Sequence, residues 1–228
     1  QYSGINHEHM IVRSKAGLFD VSHMGEFIIS GTDAGTFLQK VTVNDVQSLE
    51  VGQAHYSAMC YEHGGIIDDL LVYKKEDEFM AVVNASNREK DLAWLTSNIQ
   101  GNVTIKDISE KMALIAIQGP RSKDILQMLT DSNLSNLRFY HFIDGKVSGR
   151  EAIISRTGYT GELGYEIYSS SNDITNVWTQ IMDAGLDHGI EPVGLGCRDT
   201  LRMEMKYTLY GNDIDETTNP IEAGLGWI

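Results

Sequence analysis

Cysteine, proline and positive charge are all scarce in this chain, and each shortage closes off a class of protein. Two cysteines, Cys60 and Cys197, far apart in 228 residues, cannot staple a small secreted scaffold and favour a reducing compartment. Three prolines leave no Pro-rich linker, and no like-charge block or biased segment interrupts the sequence. Lys plus Arg total 18 against 32 Asp plus Glu, a formal charge of −14. Such a surface repels phosphate backbones and anionic headgroups, which argues against nucleic acid and membranes as partners. No apolar run approaches the ~20 residues that span a bilayer. The opening Gln-Tyr-Ser-Gly-Ile is neither a signal nor a transit peptide. With 42% hydrophobic residues the composition is that of an ordinary globular protein with a core. The chain opens without Met and stops at Gly226-Trp227-Ile228 within an apolar, strand-like stretch, so both ends read as cut.

Strand and helix patterns alternate irregularly. Residues 27–29 read as a strand, and Thr32 and Asp33 offer caps for a helix burying Phe37, Leu38 and Val41. Residues 55–61 and 66–73, joined by a Gly64-Gly65 turn, predict a hairpin, followed by a strand over 79–84. Ser86 and Asn87 then offer caps for a helix burying Leu92, Leu95 and Ile99. The design recurs. A strand over 113–117 leads to a helix opened by Gly119-Pro120, with Ile125, Leu126 and Leu129 inward. Strands over 152–155 and 165–168 flank the turn Gly158-Tyr159-Thr160-Gly161, and Asp173 caps a helix burying Ile174, Val177, Trp178 and Ile181. A last helix is predicted from about Arg198 to Lys206. Hairpins followed by single helices predict an α+β fold with antiparallel sheets. Two units of similar design suggest an internal duplication, with no residue-level repeat behind it.

Three segments stand out chemically. In Gly64-Gly65-Ile66-Ile67-Asp68-Asp69-Leu70 two adjacent carboxylates open an otherwise apolar strand. Counting by two puts Asp69 with Ile67, Leu71 and Tyr73, and Asp68 with Ile66, Leu70 and Val72, so one Asp faces the interior or a cleft. Either that carboxylate is functional, or Asp68 caps the Gly64-Gly65 turn. In the stretch from Arg156 to Glu166 two tyrosines and two acids surround glycines, and Glu166 could accept two N–H donors from a flat heterocycle. Taken alone, that stretch is more simply a decorated hairpin loop. Gly194-Leu195-Gly196-Cys197-Arg198 lacks the third glycine and the preceding strand of a dinucleotide fingerprint, while Arg198 and Arg202 lie one turn apart on a helix. His7, His9 and His23 show no metal-ligand spacing, so no metal is expected, and Cys60 reads as a small core residue.

Together with Gly17-Leu18-Phe19-Asp20-Val21-Ser22-His23-Met24-Gly25-Glu26, Val83-Asn84-Ala85-Ser86-Asn87 and Gln118-Gly119-Pro120, these segments resemble the aminomethyltransferase family, the T-protein of the glycine cleavage system. The resemblance runs from about Gly4 to Ile228. It implies a folate-binding α+β fold of two interlocked antiparallel-sheet lobes with helices, over 24–108 and over 1–23 plus 109–228, with the C-terminal barrel-like domain absent. It also implies transfer of the one-carbon unit from the aminomethyl group on lipoylated H-protein to tetrahydrofolate, releasing ammonia and giving 5,10-methylenetetrahydrofolate. Family members hold the folate in a central hole among three domains.

Position by position, Asp69 matches the essential aspartate beside the reacting end of the folate. Tyr56, Asn84 and Tyr159 match ligand-lining positions, Glu166 the glutamate on the pterin edge and Arg198 the arginine completing the site. Tyr207 is a further contact. Phe139 replaces a family tyrosine, Leu163 a usual Asp and Cys197 a usual Ala. The resemblance implies a monomer in the bacterial cytoplasm, or in the mitochondrial matrix of a eukaryote. Since the partner H-protein is acidic, docking calls for a basic patch, from a further domain or from Arg13, Lys15 and Lys206. Two other readings compete: a folate-dependent demethylase or sarcosine/dimethylglycine-type module, and a non-enzymatic folate-binding iron–sulfur assembly factor. The Asp-Val-Ser-His-Met-Gly-Glu segment favours the T-protein, and no Cys motif surrounds Cys197 as an assembly factor would require.

Overall fold

The computed structural model describes residues 1–228. In chain order its elements are α1 (Ile5–Ser14), β1 (Ala16–Asp20), β2 (Gly25–Ser30), α2 (Ala34–Val41), β3 (Gln53–Cys60), β4 (Ile66–Lys74), β5 (Glu78–Val83), α3 (Arg88–Ser97) and β6 (Thr104–Asp107). Then come β7 (Met112–Gln118), α4 (Ser122–Gln127), β8 (Phe142–Val147), β9 (Arg150–Ser155), β10 (Gly164–Ser170), α5 (Ile174–Ala184), β11 (Ile190–Pro192) and α6 (Leu195–Glu204). No helix is long and apolar enough to cross a membrane.

The chain divides into two compact units. The first holds Gln1–His23 and Lys111–Tyr207. Its sheet runs β11-β1-β7-β10-β9-β8, antiparallel except at one edge, where β1 and β11 pair in parallel. Leu18, Ile117 and Tyr165 form one row across this sheet, Ile115, Ile167 and Ile154 the next, and Ile125, Leu126, Val177 and Ile181 of α4 and α5 cover them. Full burial of such side chains contributes about 1.5–3 kcal/mol each, which fixes the face the sheet turns inward. Glu166 has the opposite parity: its ladder partners Ala116 and Ser155 lie on the face turned away from α4 and α5.

The second unit holds Met24–Glu110 and Thr208–Ile228, with the antiparallel order β3-β4-β5-β2-β6. Phe27, Ile29, Leu70, Val72, Ala81 and Val83 pack under Phe37 and Leu38 of α2 and Leu95 of α3. On the other face Asp69 stands opposite Ala58, and Tyr56 opposite Leu71. Residues 208–228, expected in the lobe with 1–23, do not belong there. Instead Ile214 and Leu225 join Ala58 and Ile66 in a satellite core, and the Ile66 amide donates to the carbonyls of Asp215 and Thr218. A Cβ on Gly65 would run into the Glu216 carbonyl, so this segment can lie there only because the turn ends in glycine.

Several local expectations shift. The strand-like ending is a series of turns, with Leu225 donating to Pro220 and Ile228 to Leu225. Gly119-Pro120 forms a turn ahead of α4 instead of its first residues. The expected caps are recruited elsewhere: Asp33 accepts from the Asn102 amide at 2.7 Å, Asn87 donates to Asp68 at 2.6 Å, and Asp173 pairs with Arg150 at 3.2 Å. None caps its own helix through its side chain.

Candidate functional site

A β-bulge sets the chemistry of β4. Met59 pairs with Asp68 but Cys60 pairs with Ile66, so Ile67 is an extra residue and the alternation reverses there. Ile67 consequently joins Leu70 and Val72 in the main core, and Ile66 joins Ala58 on the Asp69 face. Counting by two had assigned the two isoleucines the other way round. Both carboxylates are still needed at adjacent positions, because each face receives one.

Asp69 is half-buried. Its Oδ2 accepts from the Tyr56 hydroxyl at 2.9 Å, and its Oδ1 from Asn84 Nδ2 at 2.7 Å. The Tyr56 hydroxyl also meets Thr208 Oγ1 at 3.0 Å, and the Tyr56 ring stacks on Trp227 with centroids 5.6 Å apart. Burial, then the charge of Asp68, pushes the Asp69 carboxyl up to about 6, while the bonds from Tyr56 and Asn84 hold it down. Asp69 is therefore ionised at neutral pH but close to titration. Such a carboxylate, held by two donors and partly withdrawn from water, stabilises a developing positive charge more strongly than a solvated one.

Asp68 points the other way and is fully buried. It does not cap the Gly64-Gly65 turn. It accepts from the Asn84 amide at 3.0 Å, from Asn84 Nδ2 at 2.9 Å and from Asn87 Nδ2 at 2.6 Å. Asn84 thus spans both aspartates with one side-chain amide.

In the first unit Glu166 accepts a short hydrogen bond from Thr157 Oγ1, which itself lies 2.9 Å from Ser155 Oγ. Burial raises the Glu166 carboxyl above its usual range, opposed by the Thr157 bond and the charge of Arg198. A small cavity beside it is lined by Phe19, Ala116, Gln118, Tyr159 and Arg198. Arg198, in the first turn of α6, lies 4.2 Å from the Tyr159 ring centroid, and Tyr159 stacks on Tyr207 at 5.8 Å. Cation–π and stacking contacts of this kind contribute about 0.5–2 kcal/mol each and align three expected site residues in one column.

The turn carrying Tyr159 is shaped by Gln118, whose Nε2 donates to the Thr157 carbonyl at 3.3 Å and whose Oε1 accepts from Thr160 Oγ1 at 2.8 Å. A Cβ on Gly158 or Gly164 would collide with the end of that buried side chain and push the Gln118 amide out of its place in the turn. Arg13 clamps the turn from outside, donating to the Thr160 carbonyl at 2.6 Å and pairing with Glu162 and Glu204 at 3.0 and 2.7 Å. This engagement removes Arg13 from the basic patch expected of it. Lys15 and Lys206 remain exposed.

Two features went unread in the sequence. Phe139 is 62% exposed, whereas the adjacent Tyr140 is half-buried and its hydroxyl feels the charge of Glu166. Tyr140 sits in the left-handed region at φ 58°, a conformation that costs a non-glycine residue about 1 kcal/mol or more. Its hydroxyl is pushed up by burial and by the charges of Glu166 and Tyr207. The second feature is Asp91, fully buried on α3. The three histidines weighed as ligands are engaged separately. His7 bonds Glu191 at 2.8 Å, His9 bonds Thr200 at 2.8 Å, and His23 is pushed down by burial and by Arg198. No cluster of three or more His, Cys, Asp or Glu is positioned to hold a metal.

The family model described as GCVT N-terminal domain matches residues 1–228. The chain belongs to the GCVT N-terminal domain family. This GCVT N-terminal domain is 53% identical to an aminomethyltransferase of Halothermothrix orenii and 52% to one of Bacillus subtilis, each match covering 100% of the chain. It spans 64% and 63% of those relatives' lengths. Its fold is that of the glycine cleavage system aminomethyltransferase T from Bartonella henselae, with a TM-score of 0.90 and 34% identity over 98% of this chain and 60% of that one. A heterotetrameric sarcosine oxidase from Corynebacterium shares the fold at a TM-score of 0.59 and 15% identity, over 83% of this chain and 94% of that one.

Proposed function

We propose that the protein containing this GCVT N-terminal domain transfers the one-carbon unit of an aminomethyl group, carried by a lipoylated H-protein, to tetrahydrofolate. Ammonia, 5,10-methylenetetrahydrofolate and H-protein with its lipoyl arm in the reduced dithiol form are the products, the C–S bond to the carried carbon being broken. The observation that carries the proposal is the poised carboxylate of Asp69, gripped by Tyr56 and Asn84. Identity of 53% to a protein named aminomethyltransferase supports it further. Bacterial relatives and two free cysteines fit a cytoplasmic setting.

The residues suit a reduced pterin. The ring is flat with N–H donors along one edge, which a carboxylate at Glu166 can accept side by side, and Tyr159 lines the cavity beside it. Thr157 donates to one Glu166 oxygen and orients the other for that edge. Arg198 offsets the carboxylate charge when no ligand is present. Tetrahydrofolate supplies the amine that accepts the one-carbon unit. Asp69 stabilises the positive charge that builds as ammonia departs and takes up the proton lost when the new C–N bond forms. Tyr56 and Asn84 keep it ionised for the first task and close enough to titration for the second.

The likeness to sarcosine oxidase extends to the fold alone. A direct test gives the full-length protein tetrahydrofolate and, in parallel, aminomethyl-loaded H-protein, sarcosine and dimethylglycine. Methylenetetrahydrofolate and ammonia should form only with loaded H-protein. Turnover of either methylated amine would replace the donor assignment.

A further inference from the structure

Behind Asp69 lies a second pair of acids that the proposed chemistry does not use. Asp68 and Asp91 are each 0% exposed, and Asp91 lies one turn along α3 from Asn87, whose side chain donates to Asp68 at 2.6 Å, so both acids belong to one buried cluster. The two halves of the pair differ in their other partners. Asp68 receives three N–H donors, from the Asn84 amide, Asn84 Nδ2 and Asn87 Nδ2. Neither Asp91 oxygen receives any N–H or O–H donor. Two carboxylates crowded into one cluster away from water cannot both be ionised, and the proton settles on the one without donors.

We infer that Asp68 and Asp91 share one proton, carried by Asp91 and donated to Asp68, and that this pair positions the Asn84 amide and sets the charge behind Asp69. The inference deepens the proposed function and rests on it for the role of Asp69. An amide NH2 has two hydrogens, and Asn84 Nδ2 directs them to Asp68 Oδ1 at 2.9 Å and Asp69 Oδ1 at 2.7 Å. Asp68, which accepts from Asn84 Nδ2 and from the Asn84 amide, fixes which end of the side-chain amide faces Asp69. Reversed, Asn84 would present its carbonyl to two carboxylates. The proton on Asp91 keeps the charge of the buried pair at one, so Asp69 meets a single negative neighbour instead of two.

Burial, the bond to Asp68 and the Asp68 charge all push Asp91 upward, opposed by Lys90, with Asp69 adding a smaller push. Lys90 is itself occupied, donating to the Tyr210 hydroxyl at 3.1 Å and lying 4.2 Å from that ring's centroid. The charged and titratable groups around the pair are therefore Asp69, Lys90 and Tyr210. Asp68 and Asp91 touch no reacting atom. They are positioning residues.

The test is Asp91→Asn in the full-length protein, with infrared difference spectra at neutral pH and the pH profile of kcat/KM. Asparagine replaces the donated O–H with an N–H and leaves the charge unchanged. The protonated-carboxyl C=O band of Asp91 should vanish from the variant's spectrum, while that of buried Glu26 remains. The acid limb of the profile should hold its position within about 0.3 pH units. If Asp91 is ionised instead, no band is lost and removal of its charge lowers the limb. Either result overturns the inference. A second variant, Asp68→Asn, removes the pair's charge and should lower the limb by about one pH unit. A limb that stays put there is equally contradictory. The infrared comparison needs no turnover, so an inactive wild type in the folate assay would fail the proposed function and leave the shared proton to be judged separately.

Discussion

Replacing Tyr56 with Phe deletes the hydroxyl's bonds to Asp69 and to Thr208 and retains the ring that stacks on Trp227. A hydrogen bond to a charged acceptor contributes about 1.5–3 kcal/mol, and Tyr56 is half-buried, so the low end applies. At about 1.4 kcal/mol per pH unit, the loss moves the Asp69 carboxyl from about 6 to roughly 7. The ionised form is the active one, so activity falls as pH drops through that value, and the variant loses it at higher pH than wild type. At pH ~6.5 the ionised fraction falls from about three-quarters to about one-quarter, a roughly threefold deficit in kcat/KM, and at pH ~8.5 the two proteins are nearly equal. The assay is the pH profile of kcat/KM for tetrahydrofolate in the full-length protein. A deficit of the same size at every pH would mean that Tyr56 acts on the ligand and not through the ionisation of Asp69.

Glu166→Gln should weaken tetrahydrofolate about 10–100-fold in calorimetry, the cost of losing a charge-assisted acceptor at the pterin edge. An unchanged Kd removes Glu166 from that role. Glu26→Gln tests electrostatics away from the reaction. Glu26 is fully buried, neither oxygen has a hydrogen-bond partner, and burial followed by the charge of Asp107 pushes its carboxyl from 4.5 to about 8. A group displaced upward on folding contributes stability that is complete below the unfolded value and lost as pH rises through the folded one. Between pH ~5 and ~9 the wild-type chain should therefore lose up to roughly 4 kcal/mol more than the variant in denaturant titrations. Parallel curves for the two proteins would refute the burial of that charge.

Much of this was legible in residue types. The Gly64-Gly65 turn between alternating apolar runs marks the β3–β4 hairpin, and Asp69 stands out as a carboxylate on an apolar strand, while Tyr56 and Asn84 come forward only through the family resemblance. Tyr159, Arg198 and Tyr207 form one column within their unit. Elsewhere, tertiary contacts override local rules. A single bulged residue reverses the two isoleucines before Asp68. Asp33, Asn87 and Asp173 serve distant partners although their positions suit helix caps. β8 escapes notice because its middle residues are half-buried or exposed and include Gly145, so no strong alternation marks it. Asp91 lies 23 residues after Asp68, on a helix of mixed polarity, and nothing local marks it as that acid's partner. Likewise, nothing in the sequence marks the left-handed backbone of Tyr140, next to an exposed Phe139.

The central claim is that Asp69 acts on the transferred carbon and not on folate binding. Single-turnover formation of methylenetetrahydrofolate by the full-length Asp69→Asn protein, from loaded H-protein and with tetrahydrofolate affinity measured on the same sample, tests it most directly. The account predicts a rate lower by about 10²–10³-fold with affinity unchanged within about threefold. A wild-type rate, or a loss explained entirely by weaker binding, would contradict it.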